Sequence, residues 1–473
     1  MKGRSSHIRL LLCVVVCSAW SVMMHHSAGA TVPRPNVIFI IADDLRPELG
    51  CYGAAEVKSP NIDRLAAKGM LCRKAYVQYP VCNPSRSSFL SGLRPDETGI
   101  VSNEIPFRSK LPELVSLPQL FRQNGWFTAG IGKVFHLGCD DQGKPAMFRD
   151  PKSWDHFFDK SLEQPGNDRT GEGRNLTDGR LKWCEWRAAE GGDEKQPDGL
   201  NVSEALRVLE NHHDQPFFLS LGIHKPHDPF IAPKSYFDLY PKDSIKLPLE
   251  PPDRSPQMLY AIPNRLDFAG FSDLERREFK RAYHACVSFA DAQVGRVLDA
   301  LDRLKLWDNT IVILIGDHGY HLGEHDWWNK VTVYEWGTRA PLIAWVPGAN
   351  GMGKATDALI EFVDLYPTLA DYAGLAAPHQ LSGTSLRKVF DDPSLPGKPA
   401  AWSQVNRGKM IGRSVRTTRW RYTEWGPKGR EGRELYDHEH DDGEYRNLAE
   451  VPELAEVRSD LARLLARGFP SKK

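Results

Sequence analysis

Five short stretches of the chain, 36–41, 126–131, 216–222, 309–315 and 341–346, are apolar at nearly every position. Such runs predict strands buried on both faces of a parallel sheet. Helical periodicity fills the intervals. Residues 59–69 predict a short helix with Ser59 as cap, Pro60 in the first turn and Gly69 just past the end. A second helix, 117–124, stops at Gly125, and a third over 198–211 carries Val202, Ala205, Leu206 and Leu209 on one face. The stretch 272–304 predicts a long helix with Phe279, Tyr283, Val287, Ala290, Val294, Val297 and Leu301 turned inward. In 362–373, Pro367 either kinks a helix or marks its true start. Strands alternating with helices place the chain in the α/β class.

The pattern then changes. Over 412–425, Val415, Thr417, Trp420 and Tyr422 alternate with basic residues, as in an antiparallel hairpin, and 454–465 closes the chain as an amphipathic helix. Gly, Pro and Asp cluster over 381–399. This divides the chain into a large domain, 31–390, and a C-terminal α+β subdomain, 391–473. The stretch 139–197 has little periodicity and predicts irregular structure near the mouth of a site, while the proline-rich 229–263 predicts a surface excursion.

Residues 1–30 read as a secretory signal: Lys2, Arg4 and Arg9, an apolar run over 10–16, and Ala28-Gly29-Ala30 for cleavage. The rival is an uncleaved anchor, for which the run is short. Nothing later is apolar enough to cross a bilayer, so no stable membrane insertion is expected after cleavage. Export makes the chain secreted, periplasmic or lysosomal, in an oxidising compartment. Six cysteines then remain: Cys51, Cys72, Cys82, Cys139, Cys184 and Cys286. Cys139 and Cys184 flank the irregular stretch and form a possible bridge, although connectivity does not follow from sequence. Formal net charge over the 473 residues is zero. This argues against a nucleic-acid partner held by bulk charge and leaves room for a local basic pocket.

Chemistry gathers at the strand ends. Asp43-Asp44 follows the first strand, Lys133 and His136 the second, His224 the third, and Asp317-His318 the fourth. In a parallel sheet these ends lie side by side. Cys82 begins the run Cys82-Asn83-Pro84-Ser85-Arg86-Ser87-Ser88-Phe89-Leu90-Ser91-Gly92 at a helix start. There, unpaired amides and the Arg86 fork suit a tetrahedral oxyanion. Three carboxylates and an imidazole would make an oxygen-rich cation site, suited to calcium or magnesium rather than zinc.

The Cys82 run resembles the signature of the type I sulfatases, Cys-x-Pro-Ser-Arg with a following glycine. Gly132-Lys133-Val134-Phe135-His136 and Glu434-Leu435-Tyr436-Asp437 extend the resemblance, and His224-Lys225-Pro226-His227 and Asp317-His318-Gly319 are similar to the iduronate-2-sulfatase-like branch. The resemblance implies an alkaline-phosphatase-like fold, a large mixed, mostly parallel sheet flanked by helices with a smaller C-terminal subdomain. It implies that a formylglycine-generating enzyme converts Cys82 to formylglycine, and that one Ca2+ sits on Asp43, Asp44, residue 82, Asp317 and His318. It implies roles as well: Asp317 takes the proton of the attacking hydroxyl, Lys133, Lys330 and Arg86 hold sulfate oxygens, His224 or Lys330 protonates the leaving alcohol, and His136 takes the last proton. A sulfated carbohydrate is the implied substrate, 2-O-sulfated uronic acid first. Choline sulfate, a phosphate or phosphonate ester, and an inactive sugar-binding protein are the alternatives. Lys225, His227, His321, His325, Trp327 and Trp328 read either as contacts to an acidic sugar or, for the tryptophans, as packing residues.

Overall fold

The computed structural model describes residues 34–162, 170–264 and 266–469; the proposed signal lies outside them. Its centre is an eight-stranded sheet. In chain order the strands are β1 (Asn36–Ala42), β2 (Met70–Tyr76), β3 (Phe127–Gly132), β6 (His156–Phe158), β9 (Phe217–Ile223), β11 (Thr310–Gly316), β12 (Leu342–Trp345) and β13 (Ala355–Glu361). They lie side by side as β13-β2-β12-β11-β1-β9-β3-β6. Only β12 runs against the rest.

The five apolar runs are thus strands, and β1 shows why they carry no polar face. Val37, Phe39 and Ile41 enter one core and Ile38 and Ile40 the other. Counting helices of seven residues or more, α1 (Pro60–Lys68), α4 (Pro197–His212) and α5 (Asp273–Leu304) supply one core, through residues such as Leu65, Val202 and Val294. The other core takes α2 (Cys82–Ser91), α3 (Leu117–Gln123) and α6 (Leu365–Tyr372), through Phe89, Leu120 and Leu365. Ser272 and Glu275 form a capping box at the start of α5. Pro367 sits in the first turn of α6, so it marks a start.

Two local expectations are corrected. Ser59 does not cap α1; its hydroxyl accepts from Gly50 N–H and meets Asp63. Gly69 does stand just past the end of α1, in extended conformation, and is required because a Cβ there would lie 2.5 Å from the Ala344 carbonyl. Cys139 and Cys184 are both free thiols, and Cys184 is buried in the core.

The stretch read as irregular contains β4 (Leu137–Cys139), β5 (Pro145–Met147), β7 (Glu172–Asn175) and β8 (Glu185–Ala189) besides β6. β8 pairs with β7 and with β10 (Phe230–Pro233). These strands are short and mixed in composition, so pairing with distant segments, not their own pattern, defines them. The tail forms an antiparallel sheet of β14 (Ala401–Arg407), β15 (Met410–Arg416), β16 (Trp420–Trp425) and β17 (Gly432–Asp437). Helix α7 (Ala455–Gly468) packs on it through Leu461 and Leu465 against Val415 and Tyr422. Among the described residues no helix is long and apolar enough to cross a membrane.

Candidate active site

The parallel strands β11, β1, β9 and β3 end together. Their following residues therefore share one edge of the sheet: Asp317 and His318, Asp43 and Asp44, His224, and Lys133. β2 runs the same way, and the short segment after it delivers Cys82 as the first residue of α2. All ten residues of α2 are buried.

The helix start is not an open anion site. Asn83 N–H donates to Asn103 Oδ1, Ser85 N–H to the Val81 carbonyl, and Pro84 has no N–H. Arg86, fully buried, is likewise committed. Its Nε donates to Asp317 Oδ2 at 2.9 Å, Nη2 to Asp43 Oδ1 at 3.2 Å, and Nη1 to the Lys133 and Val134 carbonyls. It fixes two strand-end carboxylates and the backbone after β3 in one fork. Gly132, at φ 67°, and Gly222 allow that backbone to approach; a Cβ on Gly222 would lie 2.1 Å from the Lys133 carbonyl.

Around Cys82 Sγ stand Lys330 Nζ at 3.2 Å, His318 Nε2 at 3.4 Å and Asp44 Oδ1 at 3.9 Å. Lys330 also donates to Asp44 Oδ1 at 2.5 Å, and Lys133 donates to Asp43 Oδ2. Burial would raise the Asp43 carboxyl, but Lys133, His227 and Arg86 hold it well below the usual carboxylate range. Burial and the Asp43 charge push Asp317 up. Burial, then Asp43, raises the Cys82 thiol well above its ordinary value, against the pull of Lys133 and Lys330. Burial opposes the charge on Lys330, yet Asp44 and Cys82 raise it well above the usual ammonium value.

The donor set fits a divalent cation. His318 Nδ1 lies 2.9 Å from the Gly319 carbonyl, which can only accept, so Nδ1 donates there and Nε2 is turned toward Asp44 Oδ1, 3.2 Å away. Asp44 Oδ2 is buried without a hydrogen-bond partner. Ligand atoms of Asp43, Asp44, Cys82 and His318 all lie within 4.8 Å of one another. Asp317 borders this group, with Oδ1 3.6 Å from His318 Nε2 and bonded to Asp44 N–H.

His224 Nδ1 lies 4.0 Å from Asp43 Oδ2 and makes no hydrogen bond; burial, then Lys225 and Lys133, keeps the ring neutral. His136 Nδ1 is also buried without a partner, and burial with Lys133 lowers the ring to about 2. His227 belongs with them, although its sequence run pointed first to His224. Its Nδ1 donates to the Asp228 carbonyl, leaving Nε2 3.9 Å from both Asp43 and Asp44.

Other residues crowded into the sequence run are engaged within the protein. Lys225 donates to the His227 and Pro229 carbonyls, shaping the loop that carries both histidines. Trp328 packs on Phe279 and Phe271 in the core. Trp327 donates to the Lys330 carbonyl, His321 bonds Thr332, and His325 stacks between Tyr334 and Tyr445. Together they build the turn that presents Lys330.

Residues 35–375 match the family model described as Sulfatase, and residues 323–468 match one described as N-sulphoglucosamine sulphohydrolase, C-terminal. Mouse iduronate 2-sulfatase is 35% identical over 82% of this chain and 84% of its own length. A protein named sulfatase from Formosa agariphila is 34% identical over 88% and 83%. Among solved structures, one described in complex with its substrate D-glucosamine-2-N,6-O-disulfate superposes with a TM-score of 0.73 at 22% identity, covering 92% of this chain and 97% of that one. The phosphonate monoester hydrolase of Agrobacterium radiobacter gives 0.74 at 21%, covering 92% and 95%. The architecture is thus the alkaline-phosphatase-like one.

Proposed function

The chain belongs to the sulfatase family and is a sulfuric ester hydrolase, and from that footing we propose that it removes sulfate from a sulfated glycan, with 2-O-sulfated uronic acid as the favoured unit. One observation carries the reading at the level of the site. Residue 82 lies where the Asp43–Asp44 pair, the His318 imidazole and the Lys330 ammonium converge. The relatives named iduronate 2-sulfatase, which match most of both chains, support the choice of sugar.

Asp43, Asp44, residue 82 and His318 would hold one cation, with Asp317 beside them; calcium suits so oxygen-rich a set. Such a cation supplies Lewis acidity and neutralises charge on the sulfate. Oxidation of Cys82 to formylglycine, by a maturation enzyme, supplies a hydrated aldehyde with one hydroxyl to attack sulfur and a second to let sulfate leave.

The chain's own groups do the rest. Lys133 and Lys330 neutralise charge developing on the sulfate oxygens. Asp317, the carboxyl that burial and the Asp43 charge push up, takes the proton of the attacking hydroxyl. Lys330, nearest position 82, carries a proton to the leaving alcohol. His224 and His227 orient the ester, and His136, with its free Nδ1, takes the last proton. Arg86 holds the carboxylates in place. The N-terminal signal sends the chain out of the cytoplasm to its substrate.

Two measurements test this. Peptide mass spectrometry of active protein should show residue 82 as an aldehyde; an intact thiol in active protein rejects the mechanism. Sulfate release is then compared across heparin disaccharides, algal sulfated oligosaccharides, choline sulfate, nitrophenyl sulfate and a phosphonate ester. The 2-O-sulfated uronate disaccharides should be preferred. Preference for choline sulfate, or for the aryl ester alone, sinks the glycan reading, and faster phosphonate hydrolysis sinks the sulfatase chemistry.

A further inference from the structure

The C-terminal subdomain carries a second feature that shares no residue with the Cys82 site. Helix α7 lies over β15 and β16, and beside its flank opens a groove of about 560 Å³. That volume is within the range of ligand pockets and exceeds what one small anion needs.

Its walls are cationic from both sides. Lys428 and Arg433 come from the β16–β17 hairpin, and Arg458 and Arg463 from α7. The floor holds Tyr422, Ala462 and Ala466. One carboxylate lines the groove, Glu424. It accepts the Tyr422 hydroxyl at 2.8 Å and stands opposite Arg433 in the strand register. Asp460, beside Arg463, is a further partly compensating charge. Two of the guanidinium groups are oriented by backbone: Arg433 Nη2 donates to the Lys428 carbonyl at 2.9 Å and Arg458 Nη1 to the Val451 carbonyl at 2.5 Å. Four cations therefore line one cleft, Arg463 paired with Asp460, in a chain whose formal charge is zero. A local excess of this kind attracts polyanions, and guanidinium forks suit sulfate oxygens. The apolar floor suits the unsulfated face of a sugar ring.

We infer that this groove is an accessory, non-catalytic site for an anionic stretch of a sulfated polysaccharide, holding the polymer while another of its units is presented to residue 82. The inference rests on the glycan reading above and adds a second point of contact to it.

The test measures binding, so that it does not depend on turnover. The unaltered chain is titrated with dextran sulfate and with unsulfated dextran of equal length, at two salt concentrations. Dextran sulfate should bind, more weakly at high salt, and dextran should not. The double variant Arg433→Gln, Arg458→Gln should weaken dextran sulfate binding about five- to tenfold and flatten its salt dependence. Ala462→Glu, which keeps every cation but places a carboxylate on the floor, should act in the same direction and decides the matter if the double variant melts early. Equal affinity for the two dextrans, or affinity that neither variant changes, overturns the inference. Sulfate release from the 2-O-sulfated uronate disaccharides by the unaltered chain reports separately on the catalytic reading. Groove-dependent binding without any turnover would sink that reading and leave the polyanion site standing.

Discussion

Arg86 has no exposed surface and joins groups that would otherwise repel: Asp43 and Asp317 through hydrogen bonds, and the carbonyls after β3. Removing one partner of a buried ion pair leaves an uncompensated charge, which typically costs about 3–5 kcal/mol. Arg86→Ala should lose stability of that order in urea unfolding of metal-free protein. Arg86→Lys should recover little of it, because a single ammonium cannot bridge both carboxylates and the carbonyls. Added calcium should narrow the deficit in both variants. The opposite case is Lys225. Its position in a cationic run invited a substrate role, yet its ammonium is buried on two carbonyls. Sequence displays a charge but not what the charge faces. The same limit hid the packing role of Trp328, while the strand-end placement of Asp43, Asp44, Lys133, Asp317 and His318 followed from the apolar runs before them.

Elements decide how far a pattern can be read. β1, β9 and β11 are buried on both faces, so their composition alone revealed them. β2 was missed, because Arg73 and Lys74 interrupt its apolar residues, although it leads to Cys82, the proposed nucleophile. The loop after β9 shows one element fixing another. Asp198, in the first turn of α4, accepts the His224 and Lys225 N–H groups at 2.8 and 2.9 Å. An amide would meet one of these donors with a donor, so Asp198→Asn should shift the two histidines and lower kcat on the order of ten- to a hundredfold. Burial raises Asp198 from 3.8 to about 6, against the two N–H bonds. An acid raised in this way binds its proton more tightly when folded. Its ionisation therefore costs nothing below pH 3.8, and the cost grows to its full value above about pH 6. Relative to Asp198→Asn, the unaltered chain should lose about 3 kcal/mol of stability across that window, read from denaturant midpoints at a series of pH values.

At the scale of the whole molecule, the C-terminal sheet is a brace for the segment that leads to Cys82. β14 lies against the residues that lead from β2 to Cys82: Ser403 donates to the Val77 carbonyl, Gln404 N–H to the Gln78 carbonyl, and Asn406 N–H to the Tyr79 hydroxyl. Arg421 of β16 is buried between Glu335 and Glu444, and Tyr76, the last residue of β2, donates to Glu335. Arg421→Ala should cost about 3–5 kcal/mol and lower turnover of even the smallest sulfate ester, since the loosened sheet no longer steadies residue 82. Cys82 itself has no exposed surface, and every residue of its helix is buried. The maturation enzyme proposed above could not reach that side chain once the chain has closed. On the proposed mechanism, maturation would then be a race between two rates, its outcome written permanently into each molecule: a chain that folds first would keep its thiol and stay inactive, however native its structure. Slowing synthesis or holding the nascent chain unfolded should raise the active fraction without changing the total. A short peptide spanning 78–92 should be converted readily, while purified folded protein carrying the thiol should resist conversion by the same enzyme.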